Sequence, residues 1–135
     1  MSCFVIDSSL SAAWCIPDET GEAAETVLQK LGSDEALVPS LWVYEMSNVL
    51  VMAERRGRIT PADASRAVEL IMTLPIRIET ADFRVLDASR LLAREYSLSA
   101  YDAAYLELAQ RQGLPLATMD CKLSLAATRC GVPLL

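Results

Sequence analysis

Short apolar runs alternate along this chain with longer stretches of helical period. Cys3-Phe4-Val5-Ile6 is a continuous apolar run that stops at Asp7, the pattern of a strand buried on both faces. Ser8 or Ser9 then offers N-cap chemistry for a short helix to Cys15, before Pro17. From Glu22 to Leu31 the apolar residues Ala24, Val27, Leu28 and Leu31 share one helical face, and Gly32 follows as a stop. Ala36-Leu37-Val38 predicts a second brief strand. A long helix opens at Pro39-Ser40 and runs to Arg56, ended by Gly57. Thr60-Pro61 has the chemistry of a cap and first turn, and Ala64, Ala67, Val68, Ile71 and Leu74 keep the helical period behind it. Ile76-Arg77-Ile78 alternates as a half-exposed strand does. A helix is expected over 82–95. Another runs from Ser99, with Asp102 three residues on in the manner of a capping box, to Gln112 and the stop Gly113. A strand at 116–119, a helix at 122–129 and a last short strand from Val132 to Leu135 complete the series.

Alternating strands and helices imply an α/β fold: a short, mostly parallel sheet covered by helices on both faces, an α/β/α sandwich. No linker or repeat divides the chain, so residues 1–135 are expected to form one domain. Right-handed crossovers bring the carboxyl ends of parallel strands to one edge, where ligands of such sheets bind. Asp7 and Asp120 end predicted strands and fall on that edge. The helix from Ser40 to Arg56 is apolar on nearly all sides, through Leu41, Trp42, Val43, Tyr44, Met46, Val49, Leu50, Val51 and Met52. A surface helix shows one apolar stripe, so this one is expected to be central or to lie at an interface. Glu45 and Asn48, three apart, are its polar exceptions. Burying them unpaired would cost a few kcal/mol, roughly 2–7, which a metal or a hydrogen-bond network would offset.

Composition sharpens this picture. Hydrophobic residues make up 53% and charged residues only 22%, which points to a surface covered by a partner. No apolar run approaches the roughly 18 residues of a membrane span, and the N-terminal segment lacks signal-peptide character, so a cytoplasmic protein is expected. Cys3, Cys15, Cys121 and Cys130 show no C-x-x-C spacing, and the chain has no histidine, so reduced thiols are expected rather than a zinc site. A net charge of −6 counts against a non-specific nucleic-acid coat. Arg55, Arg56 and Arg58, with Lys122, are placed either to touch a nucleic-acid backbone or, for the arginines, to complement a helix C-terminus.

What remains is a set of acids: Asp7, Glu45, Asp102 and Asp120. Each Asp has a local reading as a cap or turn residue. Glu45 does not, because a cap does not sit one turn inside a helix. Together they would converge on one sheet edge, and carboxylates without soft ligands suit Mg²⁺ or Mn²⁺. Such a site acting on phosphate esters is a metal-dependent nuclease.

The stretches VIDSS, PSLWVYEMSNVL, LSAYDAAYLELAQRQGLPLATMD and the following CKL resemble the PIN domain, and more narrowly the VapC-type toxins of type II toxin–antitoxin modules. The resemblance spans nearly the whole chain, and its most specific part runs from Tyr101 to Asp120. It implies a PIN-like sandwich and a metal-dependent endoribonuclease. Asp7, Glu45, Asp102 and Asp120 fall on the family's acid positions, both catalytic and metal-binding, for Mg²⁺ or Mn²⁺. Thr118 falls on the hydroxyl before the last acid, and Ser9 and Asn48 on polar positions beside the cluster. Some relatives carry another acid just after the last one, where Cys121, Lys122 and Leu123 stand here. The resemblance also implies an RNA substrate, a product with 5′-phosphate and 3′-hydroxyl, and a cognate antitoxin with a basic segment; the apolar surface of the helix holding Trp42, Met46 and Met52 adds the expectation of a homodimer. The alternative is a catalytically silent PIN-like module kept for protein interaction.

Other phosphate chemistries match poorly. A receiver domain would want paired acids after the first strand, and a D-x-D phosphatase fails at Ser9. Neither a P-loop nor a G-x-G-x-x-G segment is present.

Overall fold

A computed structural model of the chain describes residues 2–19 and 21–135. Strand β1 (Cys3–Ile6) leads into helix α1 (Ser8–Cys15), a 3₁₀ turn (Pro17–Glu19) and α2 (Glu22–Lys30). Then come β2 (Glu35–Pro39), α3 (Leu41–Arg55), α4 (Pro61–Thr73), β3 (Ile76–Glu79), α5 (Phe83–Tyr96) and α6 (Ala100–Gln112). The last two elements are β4 (Leu116–Ala117) and α7 (Cys121–Arg129). The sheet has the order β3-β2-β1-β4, and every described pairing is parallel. This is the α/β architecture expected. Strand β1 is central, paired with β2 on one side and β4 on the other, so its carboxyl end opens onto the middle of the edge.

Two strands are shorter than the pattern predicted. The expected strand from Val132 to Leu135 is a single parallel bridge between Leu116 and Leu134. Leu116 N–H donates to the Pro133 carbonyl and Leu135 N–H returns to Leu116, while Pro133 has no N–H to extend the ladder. Strand β4 stops at Ala117 because Thr118 turns its hydroxyl to its own chain, accepting from Asp120 N–H at 3.0 Å.

Polar residues set the helix starts. Asp7, rather than Ser8 or Ser9, caps α1, accepting from Leu10 N–H at 3.1 Å. Asp120 caps α7 through Leu123 N–H at 3.0 Å. At α6 the Ser99 hydroxyl accepts from Asp102 N–H at 3.1 Å. The full reciprocal capping box forms at α4, between Thr60 and Asp63.

The core lies on both faces of the sheet. Phe4, Val5 and Ile6 of β1 and Ala36, Leu37 and Val38 of β2 are almost fully buried. The helix enclosed on nearly all sides is α6, buried continuously from Ala103 to Ala109. Helix α3, expected to be enclosed, instead buries one stripe: Trp42, Met46, Leu50 and Ala53, at helical spacing. Trp42 and Met46 therefore belong to this chain's own core, while Val43, Tyr44 and Val51 face outward. No helix among the described residues is long and apolar enough to cross a membrane.

Candidate active site

Asp7 is the most enclosed acid of the carboxylate edge, only 4% exposed at the end of β1. Both of its oxygens are engaged. Oδ1 accepts from Leu10 N–H and from the Ser9 hydroxyl at 2.8 Å. Oδ2 lies 2.9 Å from the same hydroxyl and accepts from Thr118 Oγ1 at 2.5 Å. Ser9 in turn accepts from Met119 N–H at 3.1 Å, which ties the start of α1 to the end of β4. Ser9 and Thr118, singled out beside the acids, thus both touch Asp7. Burial pushes the Asp7 carboxyl above its usual range; the bonds from Thr118, Leu10 and Ser9 oppose this, and the negative charge of Asp120 adds to it.

Glu45 and Asp102 form the other half of the edge. Glu45 is partly buried on α3, and its Oε1 accepts a short hydrogen bond from the Tyr105 hydroxyl of α6. Burial raises the Glu45 carboxyl, bonds from Tyr105 and Ser8 oppose the rise, and the charge of Asp102 reinforces it. Tyr105 is 1% exposed. Its phenol is held protonated far above the ordinary range by burial first and by Glu45 second, with the Asp7 charge also acting on it. The four acids therefore stand as two repelling pairs, Asp7 with Asp120 and Glu45 with Asp102. Tyr105 and Ser8 lie where the pairs meet.

Neither Tyr105 nor Ser8 stood out in the sequence. The available signal was a tyrosine three residues after Asp102, hence on its face, inside a buried run where a phenol needs a partner.

The donor chemistry of the edge fits a hard divalent cation: carboxylates and hydroxyls, with no histidine in the chain. Repulsion within each pair is what a cation would relieve. Among the described residues, no three His, Cys, Asp or Glu side chains form a group able to hold one ion as they stand. Hydroxyl donors orient two of the acids: Ser9 and Thr118 bond Asp7, and Tyr105 bonds Glu45.

Other residues of interest lie elsewhere. Asn48 is exposed and lines a separate cleft with Glu19, Met52, Arg56 and Arg58. Arg58 is engaged by Asp18 at 2.6 Å and Glu19 at 3.4 Å, whereas Arg55 sits in the last turn of α3, where its charge complements the helix end. The four cysteines are free thiols.

Comparison with known proteins places these features in context. The PIN domain profile matches residues 4–128. The chain is 31% identical over 121 residues to ribonuclease VapC3 of Pyrobaculum aerophilum, covering 89% of this chain and 91% of that one. It is 35% identical over 89 residues to exonuclease VapC9 of the same organism, covering 66% of this chain and 64% of the relative. Among solved structures, VapBC2 from Rickettsia felis, bound to a DNA fragment from its promoter, superposes with a TM-score of 0.72 over 100% of this chain and 98% of that one. The identity there is 9%, so that likeness bears on the fold alone.

Proposed function

We propose a function from one premise: this chain belongs to the PIN domain family. It is the ribonuclease toxin of a toxin–antitoxin pair, an endonuclease that hydrolyses RNA phosphodiesters with Mg²⁺ or Mn²⁺ as cofactor. The observation that carries this reading is the Asp7 carboxylate, buried at the carboxyl end of the central strand, within the field of Asp120 and beside the Glu45–Asp102 pair. Burial and the Asp120 charge disfavour the ionised Asp7 carboxylate despite its hydrogen bonds, and a bound cation would offset that cost.

In this proposal Asp7, Glu45, Asp102 and Asp120 would hold the metal. When bound, the ion supplies Lewis-acid stabilisation of the phosphate and an acidified water. The chain's own part is positioning. Thr118 and Ser9 fix the Asp7 carboxylate through hydrogen bonds to both oxygens. The cap bond from Leu10 N–H ties that carboxylate to α1, so the acid cannot swing without fraying a helix. Lys122, exposed immediately after the Asp120 cap, is placed to meet a phosphate of the strand entering the site.

The VapC names of the relatives support an antitoxin partner. A basic segment suits it, because the acidic edge attracts Arg or Lys. A cleft of about 510 Å³ between α3 and α4, lined by Val43, Val51, Val68 and Met72 among others, offers apolar surface for a protein. We also assign a homodimer to this chain. The exposed Phe83, Leu86 and Tyr101 now motivate it, in place of Trp42 and Met46, which are core.

The test is cleavage of a circular RNA with Mg²⁺, with Mn²⁺ and with EDTA. A circle has no ends, so linear product reports endonucleolytic action. Asp7→Asn, Glu45→Gln, Asp102→Asn and Asp120→Asn should each lower the rate by orders of magnitude while the fold persists. Cleavage that survives EDTA would remove the metal from the proposal. One observation favours a second reading, a silent interaction module: two of the acids already serve as helix caps. Circles and linear RNA left intact under all metals, with an antitoxin still bound, would select that reading.

A further inference from the structure

Tyr105 meets the carboxylate edge at Glu45, beside Ser8 and within the field of Asp7. It sits on α6 one turn after Asp102, and residues three apart on a helix share a face. Its hydroxyl donates to Glu45 Oε1 on α3 and lies within hydrogen-bonding range of Ser8 at the start of α1. Three elements therefore meet at one phenol oxygen. The ring is 1% exposed and packed in the core cluster, so the oxygen has little freedom to move.

We propose that Tyr105 is the positioning residue of this site: its hydroxyl fixes the Glu45 carboxylate of α3 in register with Asp102 of α6 and Asp7 at the end of β1. The inference rests on the metal-site reading given above and adds a residue to it.

Geometry favours this over a purely structural role. Helix α3 presents Glu45 at the boundary of its buried stripe, between the core residues Trp42 and Met46 and the exposed Tyr44. A glutamate there has several rotamers to choose from. One bond to a rigid phenol selects among them. The bonds from Tyr105 and Ser8 use two acceptor sites of a carboxylate that offers roughly four, so the group retains capacity for a cation. A tyrosine suits the task because its hydroxyl is a donor carried on a rigid, buried ring. Hydrogen bonds of this kind, from a neighbour to a ligating carboxylate, commonly set metal affinity by about 10- to 100-fold.

Tyr105→Phe keeps the ring and deletes only the hydroxyl. The experiment measures Mn²⁺ affinity by titration calorimetry, without RNA, for wild type, Tyr105→Phe, Glu45→Gln and the double variant. RNA cleavage gives kcat and KM separately, and melting in EDTA reports the fold. We expect Tyr105→Phe to melt cooperatively, to bind Mn²⁺ about 10- to 100-fold more weakly, and to lose kcat at nearly unchanged KM. In the Glu45→Gln background the same change should cost nothing further, because Tyr105 acts through Glu45. Excess Mn²⁺ should restore part of the lost kcat. Wild-type Mn²⁺ affinity in Tyr105→Phe, beside a Glu45→Gln variant that loses it, would overturn the role of Tyr105 and leave the metal site standing. A Tyr105→Phe protein without a cooperative melt would make the hydroxyl a folding determinant and overturn the positioning role. No Mn²⁺ binding in wild type would remove the metal-site reading, and this inference with it.

Discussion

Asp7 does two jobs that pull in opposite directions. As the cap of α1 it favours ionisation, because Leu10 N–H and the hydroxyls of Ser9 and Thr118 all stabilise the charged form. Burial and the charge of Asp120 favour the neutral acid, and burial is the larger influence, so the net shift is upward from 3.8. The sign of the pH dependence follows. Just above 3.8 the native state holds a proton on Asp7 that the unfolded chain has released, so this group's contribution to stability falls as pH rises through the folded value. Glu45 behaves alike, starting from 4.5. Asp63, lowered by its capping box, behaves oppositely, and its contribution is lost as pH falls. Asp7→Asn cannot titrate, and its amide oxygen can still accept the cap bond. In EDTA its melting temperature should therefore gain on wild type as pH rises from about 4 to 7, with the smallest difference at the acid end. A gap that narrows with rising pH would show that Asp7 is stabilised, not strained, when charged. Thr118→Val gives the complementary result. It keeps shape but removes a donor from a buried carboxylate, and should cost about 1–3 kcal/mol of stability by denaturant titration near neutral pH.

Helix α3 shows how far pattern reading goes at the level of elements. Its start, its stop before Gly57 and its length agree with the sequence expectation, although Ser40 makes no side-chain cap bond; the stop is set locally by Gly57 in the left-handed region. Its environment does not. Apolar residues on every side implied enclosure, yet only the stripe Trp42, Met46, Leu50 and Ala53 is buried, and Tyr44 is 78% exposed. Periodicity reports which residues are apolar, not which face the fold covers. Helix α6 makes the converse point: Glu107, with Arg111 bonded to it at 3.0 Å, is a charged residue inside an otherwise enclosed run. The two shortened strands failed for local reasons as well, a proline without a donor and a threonine hydroxyl that bends the chain. These assignments predict a sharp contrast. Met46→Ala should destabilise by about 2–5 kcal/mol, as removal of a core side chain does. Tyr44→Ala on the same helix should stay within about 0.5 kcal/mol in the isolated chain. Equal losses at both positions, measured by urea titration, would mean that Tyr44 is covered in solution.

At the scale of the whole molecule the site is a consequence of topology. Asp7 and Asp120 lie more than a hundred residues apart in sequence, and they come together because β1 and β4 are parallel neighbours whose carboxyl ends share an edge. That much was legible from alternating elements and right-handed crossovers. The arrangement of the acids was not, because it depends on Tyr105, Ser8, Ser9 and Thr118, whose hydroxyls decide which carboxylate turns where. Two repelling pairs held by hydroxyls form an edge that is costly without a cation. A metal that binds only the folded chain should stabilise it by about 2.7 kcal/mol at a hundred times its dissociation constant, and by about 1.4 more for each further decade. The melting temperature in Mn²⁺ should therefore climb with the logarithm of concentration after saturation. Asp7→Asn and Glu45→Gln should blunt that climb, each from its own pair, although the two residues sit on different elements. Asp63→Ala, remote from the edge, should lower the melting temperature by a similar amount at every Mn²⁺ concentration, because it removes only the side-chain bonds to Thr60 N–H and Arg66, neither of which touches the edge. Should wild type melt identically in Mn²⁺ and in EDTA, the edge would be a set of helix caps and buried hydrogen bonds, and the cation would have no place in it.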